Sequence, residues 1–243
     1  MAYPAHITLP SRFNGPPGTA NGGYVAGRLA SLLDGPVEVS LRVPPPLDRP
    51  IRIEETATGL EAYEGDTLIA AAVPADPLEA AMPAPTLEEA SAARGRFPPV
   101  EEHAFPHCFV CGPERAEGDG LRIFTGAADS FEGVADIWTP APEFAGEDGY
   151  VRPEILWAAL DCPGAFAVGF QENPMVLGRI RGVIHDRPRA GERLIVAGWA
   201  RFHDGRKHGA ATALYTETGR LLAQTDQLWI ELKTTPSGQE APS

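Results

Sequence analysis

Gly149-Tyr150-Val151-Arg152-Pro153-Glu154-Ile155-Leu156-Trp157-Ala158-Ala159-Leu160-Asp161 is the stretch on which the reading of the fold turns. Pro153 is a favoured first helical residue, because its ring presets φ and its missing N–H would go unpaired there anyway. The apolar run behind it predicts a helix from about 153 to about 168. On that helix Asp161 has Trp157, Ala158, Gly164 and Ala165 as its neighbours at three and four residues, all apolar or small. Aspartate is rarely buried unpaired, so this carboxylate needs a reason. Either it does chemistry, or it pairs with an arginine such as Arg179 or Arg181, or it serves a local break. Pro163 cannot donate to the carbonyl of Ala159 and should kink or end the helix there.

Around this helix the chain reads as strands. Residues 121–124 and 131–138 precede it as a hairpin. Four strands follow, over 176–184, 193–202, 208–216 and 221–231. Asp204-Gly205 and Thr218-Gly219 mark hairpin turns between the last three. The N-terminal part repeats the order. A helix over 22–33 carries Gly23, Ala26, Gly27 and Ala30 on one face, and strands over 37–43, 51–58 and 68–73 are separated by Pro/Gly turns. Before that helix there is room for one short strand. Short local matches support duplication: Leu41-Arg42 with Ile180-Arg181, and Leu68-Ile69-Ala70 with Leu221-Leu222-Ala223. A helix followed by antiparallel strands, twice over, is an α+β layout in which a sheet wraps a helix.

Between the two parts the prolines are dense, from Pro74 to Pro106, and proline removes donors, so this stretch is no central strand. It reads as a surface-crossing linker carrying one short helix, opened by Thr86 with Glu89 as its capping-box partner. The organisation is then a first half over 1–75, a linker over 76–106, a second half over 107–233 and a disordered tail over 234–243.

The 243 residues carry 33 acidic and 20 basic side chains, a formal charge of −13 that disfavours nucleic acid. No apolar run approaches the roughly 20 residues of a membrane span, and nothing at the N-terminus resembles a signal peptide. Three cysteines make no disulfide framework, so a reducing cytoplasm is the expected compartment.

Two segments resemble the hotdog-fold acyl-CoA thioesterase superfamily. Phe13-Asn14-Gly15-Pro16 with Asn21-Gly22-Gly23-Tyr24-Val25-Ala26-Gly27 is similar to the loop and helix start of its members. The 149–161 stretch is similar to the same element in members with an acid seven residues beyond the motif glycine. Cys108-Phe109-Val110-Cys111-Gly112-Pro113, followed by Gly120-Leu121, resembles the entry to the first strand in some of them. The resemblance implies two tandem hotdog-like halves forming a pseudo-dimer, each an antiparallel sheet wrapped around a central helix. It also implies thioester hydrolysis, in which a helix-start N–H holds the thioester oxygen and a helix carboxylate attacks or activates water. Helix N-termini suit developing negative charge, and an apolar groove raises a carboxylate's pKa.

By that resemblance Asp161 is the acid. Position 154, often glycine in the family, is Glu154, whereas Gly22 and Gly23 are intact but have Ala30 where an acid would stand. One composite site follows, from Gly22, Gly23 and Asp161, and its counterpart at Ala30 and Glu154 is lost. Asn21, Tyr24, Tyr150, Glu154 and Trp157 are the candidates for substrate contact. An acyl-CoA or acyl-carrier substrate is expected, with no metal or organic cofactor, and a homodimer is the assembly that analogy implies. A non-catalytic acyl-binding or assembly protein on the same fold is one alternative. A hotdog dehydratase or hydratase is another, although no histidine stands near Asp161 in sequence.

Cys108-x-x-Cys111 with His103 and His107 is half a zinc site at most, because no second pair is spaced to complete four ligands, and a structural turn is the expectation. No Gly-x-Ser-x-Gly elbow and no phosphate-loop signature occur. His185, His203 and His208 are expected to be solvated at strand ends.

Overall fold

The computed structural model describes residues 3–232, and the tail expected over 234–243 lies outside them. The first half contributes β1 (His6–Thr8), α1 (Gly22–Ala30), β2 (Val37–Leu41), β3 (Pro50–Glu55), β4 (Leu60–Glu64) and β5 (Thr67–Pro74). α2 (Leu87–Arg94) follows. The second half contributes β6 (Gly126–Ala127), β7 (Val134–Trp138), α3 (Pro153–Ala159), α4 (Asp161–Ala167), β8 (Met175–Ile184), β9 (Leu194–Asp204), β10 (Lys207–Thr216) and β11 (Leu221–Glu231). Among the described residues no helix is long and apolar enough to cross a membrane.

All the strands form one antiparallel sheet in the order β1-β3-β4-β5-β2-β8-β11-β10-β9-β7-β6. The halves join where β2 lies antiparallel to β8, with Val39 opposite Ile180. Outward from that seam the order is β2-β5-β4-β3-β1 on one side and β8-β11-β10-β9-β7-β6 on the other, a repeat of strand order about the seam. The two matched sequence pairs fall on equivalent strands: Leu41 and Ile180 on the two seam strands, Leu68 and Leu221 on their neighbours. This is the tandem hotdog arrangement.

α1 and α3 pack against each other inside the wrapped sheet. Their approach depends on two glycines. A Cβ on Gly23 would stand 2.6 Å from Asp161 Cβ and from the Trp157 carbonyl, and one on Gly27 would stand 2.6 Å from Glu154 Cα. The small face expected on the first helix is therefore the face that meets the second. Trp157 lies between that contact and β8, its ring filling the space a side chain at Gly182 would need.

The strands of the second half are covered on both faces. On β9, Leu194 and Val196 join the main core, while Ile195, Ala197 and Trp199 belong to a second cluster with Ala90 and Ala93 of α2. The proline-rich segment thus supplies a helix that roofs this sheet. Thr86 and Glu89 form the expected capping box.

Four expectations are corrected. β4 was not foreseen, because its Leu-Glu-Ala-Tyr-Glu sequence between turn residues carries little β-branched character. The entry hairpin is β6–β7; residues 121–124 are instead irregular, with Leu121 and Ile123 bonded to the carbonyls of Phe109 and Val110. His208 is buried, with Nε2 2.7 Å from Glu231 Oε1 and its ring stacked on His203. Finally, the helix over 153–168 is two helices broken at Leu160, just before the proline that removes the N–H due to Ala159.

Candidate active site

α1 begins where it does because Asn21 caps it, its Oδ1 accepting the Tyr24 amide at 2.9 Å. Phe13 stacks on Tyr24 with ring centroids 4.0 Å apart and pins the entering loop to the helix. A fresh helix leaves its first amides without partners. Here the amide of Tyr24 goes to Asn21, and the amide of Gly23 donates to Asp161 Oδ2 at 3.0 Å. That of Gly22 meets no acceptor among the described residues.

Asp161 is the first residue of α4, 2% exposed, and comes to this helix start from the other half of the chain. Its Oδ2 also accepts from Asn21 Nδ2 at 2.7 Å, while Oδ1 is buried with no hydrogen-bond partner. Loss of hydration pushes its pKa up, and the nearby Cys108 sulfur pushes the same way. The Gly23 amide and Asn21 offset part of this, leaving it at about 7. The arginines offered as partners are engaged elsewhere, Arg181 with Asp226 at 2.7 Å and Arg179 with Glu38 at 3.8 Å. The pairing reading is therefore set aside.

The break that sets Asp161 is itself held. The carbonyl of Leu160 accepts from Thr212 Oγ1 at 2.8 Å and from Gln227 Nε2. Thr225 Oγ1 bonds Thr212 at 2.7 Å, and Trp229 Nε1 donates to Gln227 Oε1 at 2.7 Å. Gly164 has no side chain because Gln227 occupies its place. The polar groups of β10 and β11 thus hold the helix junction, and nothing in the sequence around Asp161 points to them.

Asp161 borders a cavity of about 450 Å³. Its wall is mainly apolar: Leu177, Phe166, Phe170, Met175 and Trp229 among others, with Asn21 and Gly22 at the helix start. Asp161 is the one carboxylate among its lining residues. Such a chamber fits an acyl chain with a reactive group at one end.

Of the candidates named from sequence, Asn21, Gly22, Gly23 and Asp161 come together. The others stand apart. Tyr24 is buried against Phe13, and Trp157 is in the helix–helix contact. Glu154 pairs with Arg152 at 3.4 Å beside Gly27, and the Tyr150 ring lies under Arg189, 4.5 Å from its guanidinium carbon. None of the four lines the cavity. Gly23, offered as an oxyanion donor, spends its amide on Asp161. Glu154 packs beside Gly27, one turn before Ala30 on α1.

No protein-family model matches the chain, and no curated protein matches it by sequence. Solved structures do match. The TesB protein of Mycobacterium avium subspecies paratuberculosis is 16% identical, covering 96% of this chain and 91% of its own, with a TM-score of 0.55. An acyl-CoA thioesterase II of Mycobacterium marinum is 12% identical, covering 96% and 94%, with a TM-score of 0.57. A hot dog-fold protein of unknown function from Alicyclobacillus acidocaldarius is 13% identical, covering 95% and 93%, with a TM-score of 0.59. The likeness spans nearly the whole chain in each case and identifies the fold as a double hotdog.

Proposed function

We propose that the protein is a thioester hydrolase acting on acyl groups carried by CoA or a carrier protein, with Asp161 as general base or nucleophile. One observation carries this reading: a single buried carboxylate, with one oxygen held by Asn21 and Gly23 and the other unpartnered, at the wall of an apolar cavity. The held oxygen orients the group. The free oxygen is the one that would take a proton from water or attack the thioester carbon. The Gly22 amide, at the positive end of α1, is the candidate donor to the developing oxyanion. One of the fold neighbours is named an acyl-CoA thioesterase II and another a TesB protein, which agrees with the reading without extending to substrate choice.

Hydrolysis of short, long and aromatic acyl-CoAs by the purified protein, beside Asp161→Asn, tests it. Asparagine keeps an oxygen for the Asn21 and Gly23 donors, so folding is preserved. The expected outcome is turnover by the native protein and a loss of at least about a hundredfold in the variant, the scale of acid–base catalysis. A folded native protein that binds acyl-CoA and hydrolyses none of the panel would make it an acyl-binding protein instead. Equal rates in the two proteins would remove Asp161 from the mechanism.

A further inference from the structure

The same cavity wall carries three sulfurs. Cys108, Cys111 and Cys162 are buried and unbridged, and their Sγ atoms all lie within 4.8 Å of one another. Cys108 Sγ is 3.7 Å from Cys162 Sγ. A tetrahedral ion with metal–sulfur bonds of about 2.3 Å has sulfur–sulfur edges of roughly 3.8 Å, so the spacing already suits one.

The local structure holds two of these sulfurs together. Cys108 to Cys111 form a tight turn closed by the Gly112 amide on the Cys108 carbonyl at 2.9 Å. A Cβ at Gly112 would stand 2.6 Å from the Pro106 carbonyl, so the turn requires glycine. The third sulfur arrives from α4, one residue after Asp161.

We propose that Cys108, Cys111 and Cys162 form a binding site for a thiophilic divalent cation of the zinc type, with its fourth position open to the cavity. Three soft ligands select zinc over magnesium or calcium, which take oxygen. Among the described residues no imidazole or carboxylate joins the three sulfurs within that distance. His103 and His107, the sequence neighbours, are both outside that cluster, His103 Nδ1 accepting the Phe105 amide at 3.0 Å and His107 pairing with Glu114 at 3.1 Å. That position falls to water or to a molecule in the cavity, the arrangement of an open site. Each thiol releases its proton on binding.

The test uses reduced, metal-free protein under anaerobic conditions, titrated with Zn(II) against a chromophoric chelator and separately with Co(II). His203, His208 and Glu231 form a second group of ligand atoms in which His203 is exposed, so His203→Asn is the background for every measurement. One zinc per chain is expected, with thiolate-to-cobalt charge-transfer bands and the intense visible bands of a tetrahedral site. X-ray absorption of the zinc-loaded protein should count three sulfurs. Cys162→Ser and Cys111→Ser, each checked for folding by circular dichroism, should weaken binding by more than about 100-fold, the upper range for loss of an outer hydrogen-bond partner. Zinc uptake unchanged by either variant overturns the proposal, as does a sulfur count below three. So does reduced protein that takes up no zinc and merely forms a disulfide in air. No thioester enters these readouts, so the site stands or falls separately from the hydrolase reading.

Discussion

The Gly23 amide donates to Asp161 Oδ2 at 3.0 Å across the contact between α1 and α4, joining residues 138 positions apart. This bond needs a glycine at its donor end. A Cβ on Gly23 would lie 2.6 Å from Asp161 Cβ and from the Trp157 carbonyl, and both obstacles belong to packed helices. Gly23→Ala should therefore push the helices apart, costing about 1–3 kcal/mol by urea denaturation, the range for overpacking a core. Thioester turnover should fall with it. A variant as stable and active as the native protein would mean that the helix contact is not the rigid element described.

Asn21 does two things with one side chain: Oδ1 caps α1, and Nδ2 holds Asp161. Asn21→Asp keeps the cap and replaces the donor with a second carboxylate 2.7 Å from the first. Two carboxyls so close share a proton. The expected result is a helix cap retained but turnover largely lost near neutral pH, with part of it restored in Asn21→Ser relative to Asn21→Asp. Turnover in Asn21→Asp equal to that of the native protein would contradict this role.

Thr212 ties the helix junction to β10 through the Leu160 carbonyl and Thr225. Thr212→Val is nearly isosteric and leaves a buried hydroxyl and carbonyl each short of a partner. A loss of roughly 1–3 kcal/mol in unfolding free energy is expected. Because Asp161 follows Leu160 directly, kcat should drop while cavity binding of a non-hydrolysable thioether analogue is kept. A stability loss with kcat unchanged would leave Thr212 a purely structural residue.

Asp136 gives a prediction in pH. Its carboxyl is fully buried, and burial raises its pKa to about 6 although Arg94, a third exposed, bonds it at 2.6 Å and offsets part of the shift. The native state therefore binds its proton more tightly than the unfolded chain, whose value is 3.8. With the unfolded state holding fewer protons, stability falls as pH rises. The favourable contribution is present in full below about pH 4 and is lost as pH rises through about 6. The unfolding free energy of the native protein, less that of Asp136→Asn, should fall as pH rises from 4 to 7. A flat difference from pH 4 to 7 would show that the shift is absent.

Much of the architecture was legible from local pattern. Pro153, the Thr86–Glu89 box and the turns at Gly205 and Gly219, both with positive φ, each mark an element boundary by a requirement of the backbone itself. The long strands of the second half fall within a residue or two of their expected limits. β4 escaped because its residues have weak strand preference and it is held by pairing with β3 and β5. The helix break fell at Leu160 instead of at Pro163, since a proline removes a bond one turn earlier.

From sequence alone came the order of elements, the apolar surroundings of Asp161 and the small face of the first helix, while the family resemblance implied the composite of Gly22, Gly23 and Asp161. These follow from spacing along one element or from a short motif, which local chemistry encodes. Tertiary structure alone decided that Gly23 gives its amide to Asp161, that Gln227 and Thr212 hold the helix junction, and that Cys162 closes on Cys108 and Cys111. It also turned Tyr24, Tyr150, Glu154 and Trp157 away from the cavity. Each of those outcomes depends on the angle and separation of two helices and on sheet register across the seam. They are set by packing between segments far apart in the chain, so no window of sequence contains them.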